Sequence, residues 1–175
     1  TAQTTPVVAP ANVAASATAA LAAASVPETR TIDTAEAQRE IQAAILIDPG
    51  ASRAYNLSYS FHFHGQLDRD ALAIAGKKLV ARHDSLRSGF SADGLSLVIR
   101  REVPWQMDFV DTTDLDKTTR AARIAEVHQR IVGEAFDLQN GPLFRATLIR
   151  LAPDKHELVL GSHHVATAGW SIGVL

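Results

Sequence analysis

A mixed α/β sandwich, with helices packed on a sheet, is the fold class that the sequence predicts. Three observations predict it. From Thr31 onward, segments of period two alternate with segments of helical period. Turn signals separate these segments, and the last two strand-like runs are separated by the short turn that holds Pro153, Asp154 and Lys155, as suits a hairpin.

Taken in order, Thr1 to about Arg30 stands apart as a low-complexity run of Ala, Thr, Ser, Val and Pro whose first charge is Glu28. Such a composition buries too little apolar surface to offset the entropy of ordering it, and it reads as an interdomain linker ahead of a folded unit over 31–175. The alternative is a short Ala-rich helix over Asn12 to Ser25, which would need a partner surface to be stable. Thr34, followed by Glu36 and Gln38, opens a helix that Asp48, Pro49 and Gly50 close. Tyr55, Leu57, Tyr59, Phe61 and Phe63 alternate with Asn56, Ser58, Ser60, His62 and His64, a half-buried strand ending at Gly65.

Asp68 caps a helix running to about Leu86, with Leu72, Ala75, Leu79 and Leu86 as the buried stripe. Leu95 to Arg101 follows the Asp93-Gly94 turn as a strand, and Lys117 to Phe136 is a second long helix. Leu143 to Leu151 and His156 to Val165 form the hairpin, and Gly169 opens a further helix. The order is therefore helix, strand, helix, strand, helix, hairpin.

Composition narrows the function. With 46% hydrophobic and 21% charged residues, the chain reads as an ordinary soluble domain, placed by default in the cytoplasm. A net charge of −2 offers no electrostatic footprint for nucleic acid or an anionic membrane. The absence of cysteine excludes disulfides, thiolate metal sites and a cysteine nucleophile. Val7 to Val26 is uncharged, but it is built of Ala, Ser and Thr, broken by Pro10 and Asn12, and too weakly apolar to insert into a bilayer. No glycine-rich phosphate loop or serine nucleophile elbow occurs.

The densest polar constellation is Ser162-His163-His164, leading into Val165-Ala166-Thr167-Ala168-Gly169-Trp170-Ser171. Adjacent strand residues point to opposite faces, so His164 shares a face with Ser162, Leu160 and Leu158, and His163 with Gly161 and Val159. Only one of the two histidines reaches a common substrate. A histidine at the end of a core strand suits general-base work, because its ordinary pKa lies near neutrality. His62 and His64 share a face at a spacing that suits a metal, but no third ligand accompanies them, so they read as solvent-facing. His83 reads as a core histidine near Leu79 and Leu86.

Four segments in register carry a resemblance. Thr34-Ala35-Glu36-Ala37-Gln38-Arg39-Glu40-Ile41, Arg82-His83-Asp84-Ser85-Leu86-Arg87-Ser88-Gly89-Phe90, Phe136-Asp137-Leu138-Gln139-Asn140-Gly141-Pro142-Leu143-Phe144-Arg145-Ala146 and HHVATAGWS resemble motifs of nonribosomal peptide synthetase condensation domains. The resemblance implies the amino-terminal lobe of a two-lobed fold of the chloramphenicol acetyltransferase type. It implies amide-bond formation between a carrier-bound acyl or peptidyl thioester and a carrier-bound amine. The expected partners are upstream and downstream carrier proteins and the second lobe of the same domain. Both substrates ride on phosphopantetheine arms, with no tightly bound cofactor and no metal.

By the same resemblance His164 is catalytic, His163 is structural, and Gly169 makes the tight turn beside the tunnel. Retention of both histidines argues against cyclising relatives, and the GWS ending against epimerising ones. The resemblance also departs from the family twice. Gln42 stands where the family usually has Trp, and Ala168 stands where it has Asp. That carboxylate pairs with an arginine, here Arg82 or Arg87, so the expectation is a guanidinium left without its acid beside Ala168. The loss of the acid also supports a rival function, a catalytically silent docking module for carriers or tailoring enzymes. A stand-alone acyltransferase of the same superfamily shares the histidine motif, but the Arg82–Phe90 segment and the linker argue against it.

Overall fold

The computed structural model describes residues 28–167 together with Ser171 and Gly173. Ala168 and Gly169 lie outside the described residues, as does the segment ahead of Glu28 with its alternative helix over Asn12 to Ser25. The order is β1 (Thr29–Asp33), α1 (Glu36–Ile47), β2 (Asn56–His64), α2 (Arg69–Arg82), β3 (Ser88–Phe90), β4 (Ser96–Arg100), β5 (Asp108–Asp111), α3 (Lys117–Gly133), β6 (Phe144–Ala152) and β7 (Lys155–His163). Short 3-10 helices at Pro49–Tyr55 and Asp84–Arg87 join α1 to β2 and α2 to β3.

Period two holds where the residues predict it. β6 and β7 form the hairpin, and β2 pairs with the outer side of β7 from Asn56 opposite His163 to His64 opposite Lys155. β5 adds in parallel beside β6, giving a four-stranded sheet in the order β2-β7-β6-β5. Side chains alternate across it. Ile149 and Val159 meet Val127 and Ile131 of α3 on one face. Ala146, Leu148 and Leu158 meet Leu72 of α2 and Trp105 on the other.

Trp105 is the wedge on that second face. Its ring stacks on Phe144, with centroids 5.8 Å apart, and its Nε1–H donates to the Phe144 carbonyl at 3.1 Å. Gly76 of α2 makes room for it, since a methyl there would come within 2.7 Å of Trp105 Cζ3.

A second sheet, in the order β1-β4-β3, is antiparallel throughout. Its core joins Phe90 and Leu97 to Phe136, Leu143 and Val165, so the segment after His164 is anchored beneath the small sheet.

Several boundaries differ from the sequence expectation. The α1 N-cap is Ala35, while the Thr34 hydroxyl donates to the Leu95 carbonyl at 3.0 Å. α2 starts as expected, with Asp68 accepting from the Ala71 N–H at 2.9 Å. It stops at Arg82, because His83 turns to extended backbone (φ −103, ψ 111) and Asp84–Arg87 coils separately. His83 is accordingly a half-buried C-cap residue rather than a core one. The inner stripe of α2 holds Gly76 and Val80 beside Leu72 and Leu79, while Ala75 is exposed. α3 ends at Gly133, where Asn56 donates to the carbonyls of Val132 and Glu134 at 2.7 and 2.9 Å and satisfies the last turn. β1 takes in Thr29 and Arg30, the last two residues of the segment read as linker.

Candidate active site

The two adjacent histidines stand in opposite surroundings. His163 closes β7 and is fully buried. Its Nδ1 accepts the Val165 N–H at 3.2 Å, so Nε2 carries the proton and donates to the Ser52 carbonyl at 3.2 Å. The Ser52 hydroxyl lies 3.4 Å from the same nitrogen. The rings of Tyr55 and Phe136 flank it at 6.1 and 6.2 Å. Burial pushes the His163 pKa below the ordinary imidazole value, opposed by the Ser52 carbonyl and assisted by charge on His164. Both ring nitrogens are engaged in one tautomer, which suits a cross-link between β7 and the Pro49–Tyr55 turn.

His164 is exposed. Its N–H still donates to the Tyr55 carbonyl at 2.8 Å, but the strand ends at His163 and the chain then coils. The N–H groups of Ala166 and Thr167 both reach the His163 carbonyl, at 2.9 and 3.2 Å. The two rings are thus separated, one buried and one exposed, but His164 leaves from a turn beyond the end of β7 rather than from the strand itself.

Two contacts that hold this turn were missing from the sequence reading. Buried Ser162 and Thr167 join through their hydroxyls at 2.6 Å, closing its base. Gln38 Nε2 donates to the Val165 carbonyl at 3.1 Å, tying α1 to it. Gly161 lets α3 approach beside His163, since a Cβ there would sit 2.7 Å from Ile131 Cγ2.

A sequence profile described as "Condensation domain" matches residues 30–175. The chain belongs to the condensation-domain family. It is 37% identical over 150 residues to a chondramide synthase of Chondromyces crocatus, covering 85% of this chain and 4% of the relative. It is 39% identical over 127 residues to an isonitrile lipopeptide synthase of Mycobacterium tuberculosis, covering 69% and 5%. Among solved structures, the starter condensation domain of rhizomide synthetase aligns with a TM-score of 0.72 and 26% identity, covering 83% of this chain and 35% of that one. The chain thus spans about a third of a solved condensation domain and a small fraction of its curated relatives.

The described residues show what the motif arginines touch, while Ala168 itself lies outside them. Arg87 is not left without an acid, because its guanidinium pairs with Asp84 three residues earlier and also donates to the Arg100 carbonyl. Arg30 of β1 pairs with the same Asp84. Arg82, at the last turn of α2, is exposed. Arg87 Nε is buried without a hydrogen-bond partner among the described residues, and the surroundings of Ala168 lie outside them. His62 and His64 are exposed on β2, and among the described residues no group of three or more His, Cys, Asp or Glu is placed to hold a metal. No helix among the described residues is long and apolar enough to cross a membrane.

Proposed function

We propose that this chain supplies the histidine-bearing, amino-terminal lobe of a domain that joins a carrier-bound acyl or peptidyl thioester to a carrier-bound amine. The observation that carries the reading is the division of labour between the paired histidines. One is buried with both nitrogens occupied, and the other is presented to solvent on a braced turn. His164 takes the role of acid–base group. The amine nitrogen attacks the thioester carbonyl, a C–N bond forms and the C–S bond breaks. The proton leaves the nitrogen for His164, which returns it to the departing sulfur, and the thiol so formed stays on its phosphopantetheine arm. That arm belongs to the carrier, so the lobe needs no resident cofactor. The second lobe of the domain completes the site, and the lobe alone is inactive.

In the parent domain with loaded donor and acceptor carriers, His164→Ala is expected to lower amide formation by roughly 10²–10⁴-fold. Unchanged turnover would refute the assignment. Ala168 supports a second reading, a silent module that docks carriers without chemistry. An unmodified parent domain that binds both carriers yet forms no amide would establish it.

A further inference from the structure

Val165, the residue after His164, is held by side chains at both of its backbone polar groups. His163 Nδ1 accepts its N–H at 3.2 Å, and Gln38 Nε2 donates to its carbonyl at 3.1 Å. The other end of the Gln38 amide accepts the Ala35 N–H at 2.9 Å. Ala35 has no side-chain acceptor, so this is half of a capping box, made by Gln38 alone. The two bonds run in opposite senses and fix the amide's orientation, since only its oxygen accepts and only its nitrogen donates.

The bridge joins residues 127 positions apart and brings the first turn of α1 onto the histidine turn. His164 sits between fixed neighbours. Its own N–H is held by Tyr55, the ring before it by Ser52, the peptide after it by His163 Nδ1 on the Val165 N–H, and the next peptide, Val165–Ala166, by Gln38. Of these anchors, Gln38 alone comes from α1.

We propose that Gln38 is a positioning residue for His164: its amide fixes the Val165 carbonyl, and with it the course of the turn from which the His164 side chain leaves. The proposal rests on the acid–base role assigned to His164 above. The competing role is that of a simple helix cap, and the two amide bonds separate the possibilities. Gln38→Glu keeps an acceptor for the Ala35 N–H but sets an oxygen against the Val165 carbonyl. Gln38→Lys loses that acceptor but keeps a donor for the carbonyl.

The test uses the parent domain with loaded carriers, and follows the His164 imidazole resonances in the same protein. Gln38→Glu is expected to lower kcat roughly 10–100-fold, as a misplaced acid–base group does, with KM for the acceptor carrier unchanged. The imidazole resonances of His164 should shift in that variant, and Gln38→Lys should keep kcat within about threefold of the parent, on the same positioning argument. Where Gln38→Glu does not fold, Gln38→Met, which makes neither bond, takes its place with the same expected results. Equal losses with Gln38→Lys and Gln38→Glu would make Gln38 a helix cap and overturn the proposal, as would imidazole resonances that do not move. His164→Ala is measured alongside. If that variant retains turnover, the acid–base reading falls, and the resonances alone decide whether Gln38 positions the ring.

Discussion

At the scale of single residues, His163 links the site to acid stability. Burial of its ring holds its pKa below the ordinary value near 6.5, against the opposing bond to the Ser52 carbonyl. The unfolded chain therefore takes up a proton at pH values where the folded chain does not. Stability then rises with pH across the window between the folded and unfolded pKa values. This contribution is complete above about pH 6.5 and is lost as pH falls below it. Urea unfolding at pH 7.5 and pH 5 should show the loss, and His163→Gln, which cannot titrate, should flatten that part of the slope. An unchanged slope in the variant would assign the acid loss to other groups. Alternation predicted different surroundings for the two histidines, which the structure shows, although β7 ends at His163 and His164 lies in the turn beyond it. It did not reveal Ser52 or Gln38, because contacts across 111 and 127 residues leave no local pattern.

At the scale of elements, what periodicity and capping chemistry can mark was readable, and what pairing alone creates was not. Asp68 does cap α2, and the hairpin forms about Pro153 and Asp154. β3 and β5 escaped because they are three and four residues long, too short to show a period. β1 has the same length as β4, but it is exposed throughout and reads as polar, where β4 alternates. Ala75 was placed in the α2 stripe on spacing, yet the helix turns Gly76 inward because Trp105 needs the space. That substitution of roles is testable. On an exposed helix face Gly→Ala stabilises by about 1 kcal/mol, but Gly76→Ala should destabilise by roughly 1–3 kcal/mol through overpacking against Trp105. In denaturant titrations, combining it with Trp105→Leu should cancel most of the Gly76→Ala effect. Strict additivity of the two changes would show that the ring does not set the requirement at residue 76.

At the scale of the whole molecule, the two sheets meet at the histidine turn. Val165 belongs to the core of the small sheet, while His163 ends a strand of the large one. The small sheet thus bears on the site through Phe90 of β3 and Leu97 of β4, and β1 forms its other edge. It pairs with β4 from Thr29 opposite Arg100 to Asp33 opposite Ser96, beside buried Leu97 and Ile99. The Arg30–Asp84 pair is exposed and adds little. Backbone and cross-strand pairing supply most of what β1 contributes, at about 0.2–1 kcal/mol per pair. The folded unit is therefore expected to begin near Glu28 rather than at Thr31, with the residues before it serving as a linker. A chain starting at Glu28 should melt at the same temperature as the whole chain. One starting at Thr34, stripped of β1, should melt several degrees lower, since each kcal/mol is worth roughly 2–4 °C in a chain of this size. A lower melting temperature for the Glu28 chain would instead favour a docked helix over Asn12 to Ser25. An unchanged one for the Thr34 chain would show that β1 is dispensable and that the small sheet stands on β3 and β4 alone.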